Sequence, residues 1–181
     1  MKKIIFTILA LIVLSGCSFK DMSNTPTKQV EAYLNNYQTL SSNVIEKLDS
    51  IVNLELDFSD SQKDTYKDIL KKHYQDLVYT IKEETVNGDQ ATVEVEIEVN
   101  DYSKVLKEAE TYRLAHEQEF LNDDNVFDTE KFNDYKLELL KSNKDRVKYT
   151  LYLSLNKVND KWVLENLTKT EEDKILGIYE Y

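Results

Sequence analysis

The stretch Ala91-Thr-Val-Glu-Val-Glu-Ile-Glu-Val99 alternates apolar and polar residues from end to end. Such alternation predicts a β-strand that buries one face and exposes the other. A shift of one residue in its pairing would bury the glutamates, so the pattern also fixes the register of the strand. The stretch therefore predicts a sheet with one apolar face packed on a core.

Two β-hairpins are predicted around this strand. Upstream, residues 78–86 are rich in β-forming residues, and Asn87-Gly88 is a strong signal for a two-residue turn in which both positions need a positive φ. Downstream, residues 147–156 alternate in the same way. Asn159-Asp160 then turns the chain into a partner strand, residues 161–167, which contains Trp162.

Two long amphipathic helices are predicted before the first hairpin. Thr25 is a good N-cap and Pro26 suits the first helical position, and an apolar stripe at helical spacing extends this helix over residues 26–52. Ser59 and Gln62 fit a capping box that starts a second helix, residues 60–76.

Two further helices are predicted between the hairpins. Asn100-Asp101 caps the third helix, whose inner stripe runs to Phe120, and Asp128 caps the fourth, which ends in the polar run 142–145. The residues that join them, 121–127, form an acidic loop.

A short last helix, residues 170–178, is predicted after the second hairpin, capped within residues 170–172 and with Gly177 in its interior. The predicted fold class is therefore α+β: an antiparallel four-stranded curved sheet, made of two hairpins and packed against long amphipathic helices. Residues 25–181 suit a single globular domain.

This layout resembles the nuclear transport factor 2-like, or cystatin-like, group of exported bacterial lipoproteins. The paired N-terminal helices, the Asn87-Gly88 hairpin and the hairpin 157–167 with its tryptophan carry the resemblance. It implies a curved sheet wrapped against helices into a cone, and a role as a binding module, a dimerisation module or, less often, an enzyme. The acidic helical segment 122–143 departs from the pattern, so no pocket residue is transferred.

The N terminus has the features of a secretory signal peptide. Lys2 and Lys3 precede an apolar run, residues 4–14, which is shorter than the roughly 20 residues that a membrane-spanning helix needs. The quartet Leu14-Ser15-Gly16-Cys17 resembles the lipobox of bacterial lipoproteins. This resemblance implies that residues 1–16 are cleaved off and that the Cys17 thiol receives a diacylglyceryl group.

The predicted organisation is then a signal peptide, 1–16, a lipidated tether, 17–24, and the domain. Two acyl chains anchor a protein stably to a membrane without spanning it. The predicted location is the extracytoplasmic face of the cell membrane. The alternative is that Cys17, the single cysteine of the chain, remains a free thiol.

The chain is acidic, with 34 acidic and 23 basic residues and a formal net charge of −11. Such a surface repels the phosphates of nucleic acids and anionic lipid headgroups, so nucleic acid is not an expected partner. The charge indicates either solubility alone or a cationic partner such as a basic peptide or a divalent ion. A single cysteine allows no internal disulfide.

The sequence predicts no catalytic, cofactor-binding or metal residue. His116-Glu-Gln-Glu-Phe120 begins like the zinc-protease helix, but Phe120 stands where the second histidine is needed, and His116 is expected to be a partly buried helix residue. His73 lies beside the stripe of the second helix. Asp123-Asp124-Asn125 with Asp128 could bind calcium, but the EF-hand pattern is missing and a solvated loop is expected.

Five tyrosines fall on the inner helical stripes: Tyr33, Tyr37, Tyr66, Tyr74 and Tyr112. They are expected to be core residues with hydroxyls near the surface, and the alternative is that they line a cone-shaped cavity.

Three functions remain open from the sequence. The first is a non-catalytic module that binds a protein, a peptide or a small ligand beside the membrane. The second is an enzyme with a tyrosine or carboxylate as acid or base. The third is a surface spacer or antigen without a specific ligand.

Overall fold

The computed structural model describes residues 24–180, so the predicted signal peptide, Cys17 and the tether as far as residue 23 lie outside the described residues. The helices and strands follow in this order: α1 (Pro26–Gln38), α2 (Ser42–Asn53), α3 (Asp60–Gln75), β1 (Val78–Asn87), β2 (Gln90–Asn100), α4 (Tyr102–Ala115), a 3-10 helix (Glu117–Phe120), α5 (Thr129–Ser142), β3 (Arg146–Val158), β4 (Lys161–Leu164) and α6 (Lys169–Leu176).

The four strands form one antiparallel sheet in the order β1-β2-β3-β4, which is curved and unclosed. The alternating stretch lies in β2, where all five of its apolar residues are buried. Its glutamates lie on the outer face, and Glu96 pairs there with Lys148 of β3 and Lys82 of β1. The predicted α+β class, strand pairing and register are confirmed.

The core lies between the inner face of the sheet and the helices that cover it. Val93, Val95, Ile97 and Leu151 are at most 1% exposed, and Leu34 and Leu70 pack onto them from α1 and α3. Predicted caps hold the helix starts in place: Thr25 caps α1, Ser59 and Gln62 form the capping box of α3, Asp101 caps α4 and Asp128 caps α5.

The predicted first helix is wrong in one respect, because residues 26–52 form two helices. Leu40 has a φ of +52°. The amide of Ser41 donates to the carbonyl of Asn36 (3.0 Å), and the amide of Leu40 donates to the carbonyl of Tyr37 (3.1 Å). These bonds form a Schellman motif, which ends α1. Packing of the Leu40 side chain against the core offsets the cost of a left-handed leucine.

The hairpin turns differ from each other. The first turn is Gly88-Asp89, one residue later than predicted, and only Gly88 has a positive φ (+62°). The second turn, Asn159-Asp160, is confirmed, with φ of 50° and 63°. β4 ends at Leu164 rather than at residue 167, because the chain leaves the sheet to reach the N-cap of α6 at Thr168.

Gly177 ends the last helix rather than lying inside it. Thr168 and Glu171 form a capping box that starts α6 earlier than predicted, and Gly177 follows the helix with a φ of +74°. The carbonyl of Gly177 accepts bonds from the amides of Tyr102 (2.9 Å) and Ser103 (2.8 Å). The C-terminal segment is thereby fixed to the first turn of α4.

The acidic segment between the hairpins packs against two clusters, because Leu137 and Leu140 of α5 belong to the main core and Phe132 to a second, smaller cluster. Ala109 of α4, Phe120 of the 3-10 helix and Phe132 of α5 are buried together. In the loop before α5, the side chain of Asn122 accepts the amides of Asp124 (3.0 Å) and Val126 (2.9 Å). These bonds from two backbone amides to one side-chain oxygen hold the turn of the loop in place.

Candidate functional site

A cleft of about 520 Å³ opens between α3, the end of α5 and the adjoining ends of β2 and β3. We call it the α3–α5 cleft. Its apolar lining comes from three elements that the fold brings together: Ile69 of α3, Leu140 of α5 and Tyr102 at the start of α4. A pocket of this size fits a small organic molecule or a few residues of a peptide.

Tyr102 forms part of a fixed wall of the cleft. It is 3% exposed, and its ring stacks on His73 with centroids 4.7 Å apart. Burial raises the pKa of the Tyr102 phenol to about 12, against an opposing hydrogen bond from Asn100. The phenol therefore keeps its proton at neutral pH and can donate a hydrogen bond but cannot act as a base.

Basic residues surround the cleft although the whole chain is acidic. Four cations line it, namely Lys72, Lys141, Lys144 and Arg146, with two carboxylates, Asp68 and Asp76. Asp68 pairs with Lys71 at 2.9 Å, outside the lining. Within residues 24–180, Lys72 and Lys144 form no ion pair, and Lys141 lies 3.8 Å from Glu138. The unpaired charge in the cleft is thus mainly positive.

Arg146 holds one wall of the cleft in place. Its Nε donates to Glu98 Oε1 (2.9 Å), and its Nη2 donates to the carbonyls of Glu98 (2.7 Å) and Asp76 (2.9 Å). These bonds join the start of β3 to the end of α3. Because Glu98 balances its charge, Arg146 has less capacity than the lysines to attract a ligand.

The two histidines lie in different environments, and neither is placed as a metal ligand. His73 is fully buried, its Nε2 donates to the carbonyl of Ile175 (2.9 Å), and Asn100 lies 3.4 Å from its Nδ1. Burial lowers the pKa of His73 to about 4, so the ring is neutral. Among residues 24–180, no group of three His, Cys, Asp or Glu side chains could hold a metal.

His116 is exposed, which corrects the prediction of a partly buried helix residue. α4 ends at Ala115, so His116 follows the helix as its C-cap and stacks on Tyr112 with centroids 4.1 Å apart. Its side chain is 46% exposed and lies 3.3 Å from Glu119. The apolar stripe continues past it only because the chain turns into the 3-10 helix that buries Phe120.

Of the five predicted inner tyrosines, two are buried in the core, Tyr33 and Tyr66 pack partly buried against it, and Tyr112 packs against the smaller cluster. Tyr37 and Tyr74 are each 2% exposed and meet edge to face at 4.8 Å, and the Tyr33 hydroxyl lies 3.0 Å from that of Tyr37. Burial raises the pKa of Tyr66 and Tyr74. Tyr33 also borders a smaller cleft of about 310 Å³ beside Glu165 and Leu167. None of the five predicted tyrosines lines the α3–α5 cleft.

Sequence reasoning missed the cleft because its residues come from separated elements. Lys72 looks like any exposed helix lysine, and Tyr102 like one more aromatic residue. One signal was present: Lys141, Lys144, Arg146 and Lys148 follow each other closely in an acidic chain. Such a local reversal of charge indicates a candidate anion-binding surface.

Comparison with known proteins identifies the N terminus only. Residues 1–18 match the family described as prokaryotic membrane lipoprotein lipid attachment site. Neither the curated proteins nor the solved structures give a match. Between residues 24 and 180, no helix has the length and apolar character needed to cross a membrane. The chain therefore carries a lipid attachment site, which indicates a membrane-anchored lipoprotein.

Proposed function

We propose that this chain is an extracytoplasmic lipoprotein whose domain is a non-catalytic binding module with the α3–α5 cleft as its ligand site. Residues 1–16 would be the cleaved signal peptide, Cys17 the lipidated residue, and 17–24 the tether to the domain 25–181. Membership of the nuclear transport factor 2-like group remains a prediction. The single observation that carries the binding function is the cleft, where an apolar lining meets unpaired lysines.

The position of the cleft relative to the anchor supports this function. Asn24, at the end of the tether, accepts a bond from the amide of Trp162 at 2.6 Å. Trp162 pairs with Lys157, and from there β3 runs about 36 Å to Arg146, at about 3.3 Å per residue. The chain from Cys17 to Asn24 spans at most about 25 Å. The cleft thus lies at the end of the sheet far from the anchor.

The described chemistry favours binding over catalysis. The Tyr102 phenol is part of the apolar lining and the His73 imidazole stacks on it, and burial raises the pKa of the phenol to about 12 and lowers that of the imidazole to about 4, so both are neutral at pH 7. A neutral phenol and a neutral, fully buried imidazole are suited to shaping a pocket.

A blocking substitution tests the site. Thr65 lines the cleft, and its hydroxyl donates to the carbonyl of Ser61. Thr65→Trp should fill the cleft, and Thr111→Trp, at a helix position outside it with the same type of hydroxyl bond, is the matched control. Water-soluble fragments of all charge classes would be screened by saturation-transfer NMR against the lipid-anchored chain in nanodiscs.

The expected result is a set of fragments that bind the wild type and Thr111→Trp but not Thr65→Trp. Fragments that bind all three proteins equally, or no bound fragment at all, would contradict the proposal. The second outcome would favour a spacer or antigen without a specific ligand.

A further inference from the structure

We infer that the α3–α5 cleft selects a water-soluble organic anion, a carboxylate or phosphate on an apolar body, through Lys72 and Lys144. This inference rests on the proposed binding function and adds the class of ligand. Its starting point is the contrast between the net charge of −11 over the whole chain and the cations that line this one cleft.

The lysines are available for a ligand because the fold does not use them. Lys72 comes from the last turn of α3 and Lys144 from the residues between α5 and β3, and neither forms an ion pair within the part of the chain described. Elsewhere on the surface many lysines have a carboxylate partner, as Lys47 has Glu172 at 2.6 Å and Lys28 has Glu31 at 2.6 Å. A ligand carboxylate or phosphate would supply the missing partner as a charge-assisted hydrogen bond.

The apolar part of the ligand would contact Ile69, Leu140 and the ring of Tyr102. These groups line the same cleft as the two lysines and give it an apolar surface that a fully hydrated inorganic ion would not cover. The Tyr102 phenol, which keeps its proton, adds a hydrogen-bond donor and no negative charge. An anionic head joined to an apolar body uses both kinds of surface.

One carboxylate opposes this selection. Asp76 lines the cleft, and its side chain forms no ion pair among the described residues, while its carbonyl accepts a bond from Arg146. Asp76 should therefore weaken the binding of an anion. This predicts that its neutralisation improves binding, a gain that partial unfolding would not produce.

The anion is expected from solution rather than from the bilayer. The cleft opens about 36 Å along β3 from the strand that Asn24 contacts, at the opposite end of the sheet from the attachment of the tether. In addition, a chain of this net charge is repelled by anionic headgroups.

The test compares four probes that share a benzene ring: phenylacetate, phenyl phosphate, neutral benzyl alcohol and cationic benzylamine. Saturation-transfer NMR titrations would use the mature lipid-anchored chain in phosphatidylcholine nanodiscs, with empty nanodiscs as the blank. The two anions should bind about tenfold more tightly than benzyl alcohol, and benzylamine should bind least.

Three variants examine the charges. Lys72→Gln/Lys144→Gln should reduce the affinity for the anions about tenfold and leave that for benzyl alcohol unchanged. Asp76→Asn should raise the anion affinity severalfold. Lys161→Gln is the control, because Lys161 pairs with Val158 at the end of β3 opposite Arg146, and it should change nothing.

The failures are distinguishable. If Thr65→Trp abolishes binding but the probes show no preference for anions, this inference is wrong and the proposed binding function is still supported. No Thr65-sensitive binding overturns both. If phosphatidylglycerol nanodiscs weaken the binding of phenyl phosphate and phosphatidylcholine nanodiscs do not, the anionic headgroup competes for the cleft. That result would show that a lipid headgroup is the ligand and would overturn the assignment to a soluble anion.

Discussion

Gly177→Ala should destabilise the domain strongly, whereas Gly88→Ala should do so only slightly. Both glycines have a positive φ, +74° and +62°, so an alanine at either position costs about 1 kcal/mol in backbone strain. Their surroundings differ. A Cβ at Gly88 has nothing within 4 Å, but a Cβ at Gly177 would overlap the backbone oxygen of Asn100 and lie 3.1 Å from His73 Cε1.

The additional cost at Gly177 follows from what must move. Backbone cannot give way as a flexible side chain does, so the C-terminal segment must shift away from β2. That shift weakens the bonds from Tyr102 and Ser103 to the carbonyl of Gly177, at about 1 kcal/mol each. It also disturbs the bond between His73 and the carbonyl of Ile175. We expect Gly177→Ala to cost at least about 3 kcal/mol, against about 1 kcal/mol for Gly88→Ala.

Urea unfolding of the mature chain would measure both values. Trp162 is the single tryptophan and lies half-buried in β4, so its fluorescence reports unfolding of the sheet, and circular dichroism reports the helices. If the slope of the unfolding free energy against urea concentration is the same in the wild type and both variants, shifts of the midpoint report changes in stability. If the two variants differ by less than about 0.5 kcal/mol, the contact of Gly177 with β2 is looser than described and the reasoning is wrong.

Three other predictions follow from single residues. Burial lowers the pKa of His73 to about 4, so below its ordinary value of 6.5 the unfolded chain binds the proton more readily. His73 should therefore lower the unfolding free energy by about 3 kcal/mol between pH 6.5 and 4. Urea titrations at stepped pH should show that His73→Gln loses this contribution and keeps only the slope from carboxyl groups. Asp160 has a φ of +63°, so Asp160→Gly should raise the unfolding free energy by about 0.5–1 kcal/mol and the melting temperature with it. Asp89→Gly in the other turn should not raise either, because Asp89 has no positive φ. Cys17→Ala should abolish metabolic labelling by an alkyne fatty acid and release the chain from membranes; persistent labelling of the variant would place the lipid elsewhere.

The sheet could be predicted because local sequence and burial agree there. In the stretch Ala91–Val99 the polarity of each residue predicts the face of the sheet on which it lies, and the partner strand β3 repeats the pattern. Helix starts were equally accessible, since caps such as Ser59 with Gln62 act within one turn of the backbone.

Helix ends and the cleft depend on contacts that a local pattern does not contain. The apolar stripe from Tyr37 to Val44 stays in phase across the break at Leu40, so periodicity predicts a helix where the chain turns. Gly177 did carry a signal, as glycine is the usual residue after a helix end. The cleft has no such signal, because Lys72 and Arg146 line one cleft only through the contact of the end of α3 with the start of β3.

The contact between Asn24 and Trp162 has a consequence for molecules crowded on one membrane. Asn24 engages both the amide and the carbonyl of Trp162, the outward-facing groups of edge strand β4. At the other border, β1 has a bulge between Ile81 and Glu83, and Lys82 lies within it. Capped or kinked borders hinder strand-to-strand association, so a densely anchored layer of these domains should resist aggregating through its sheets.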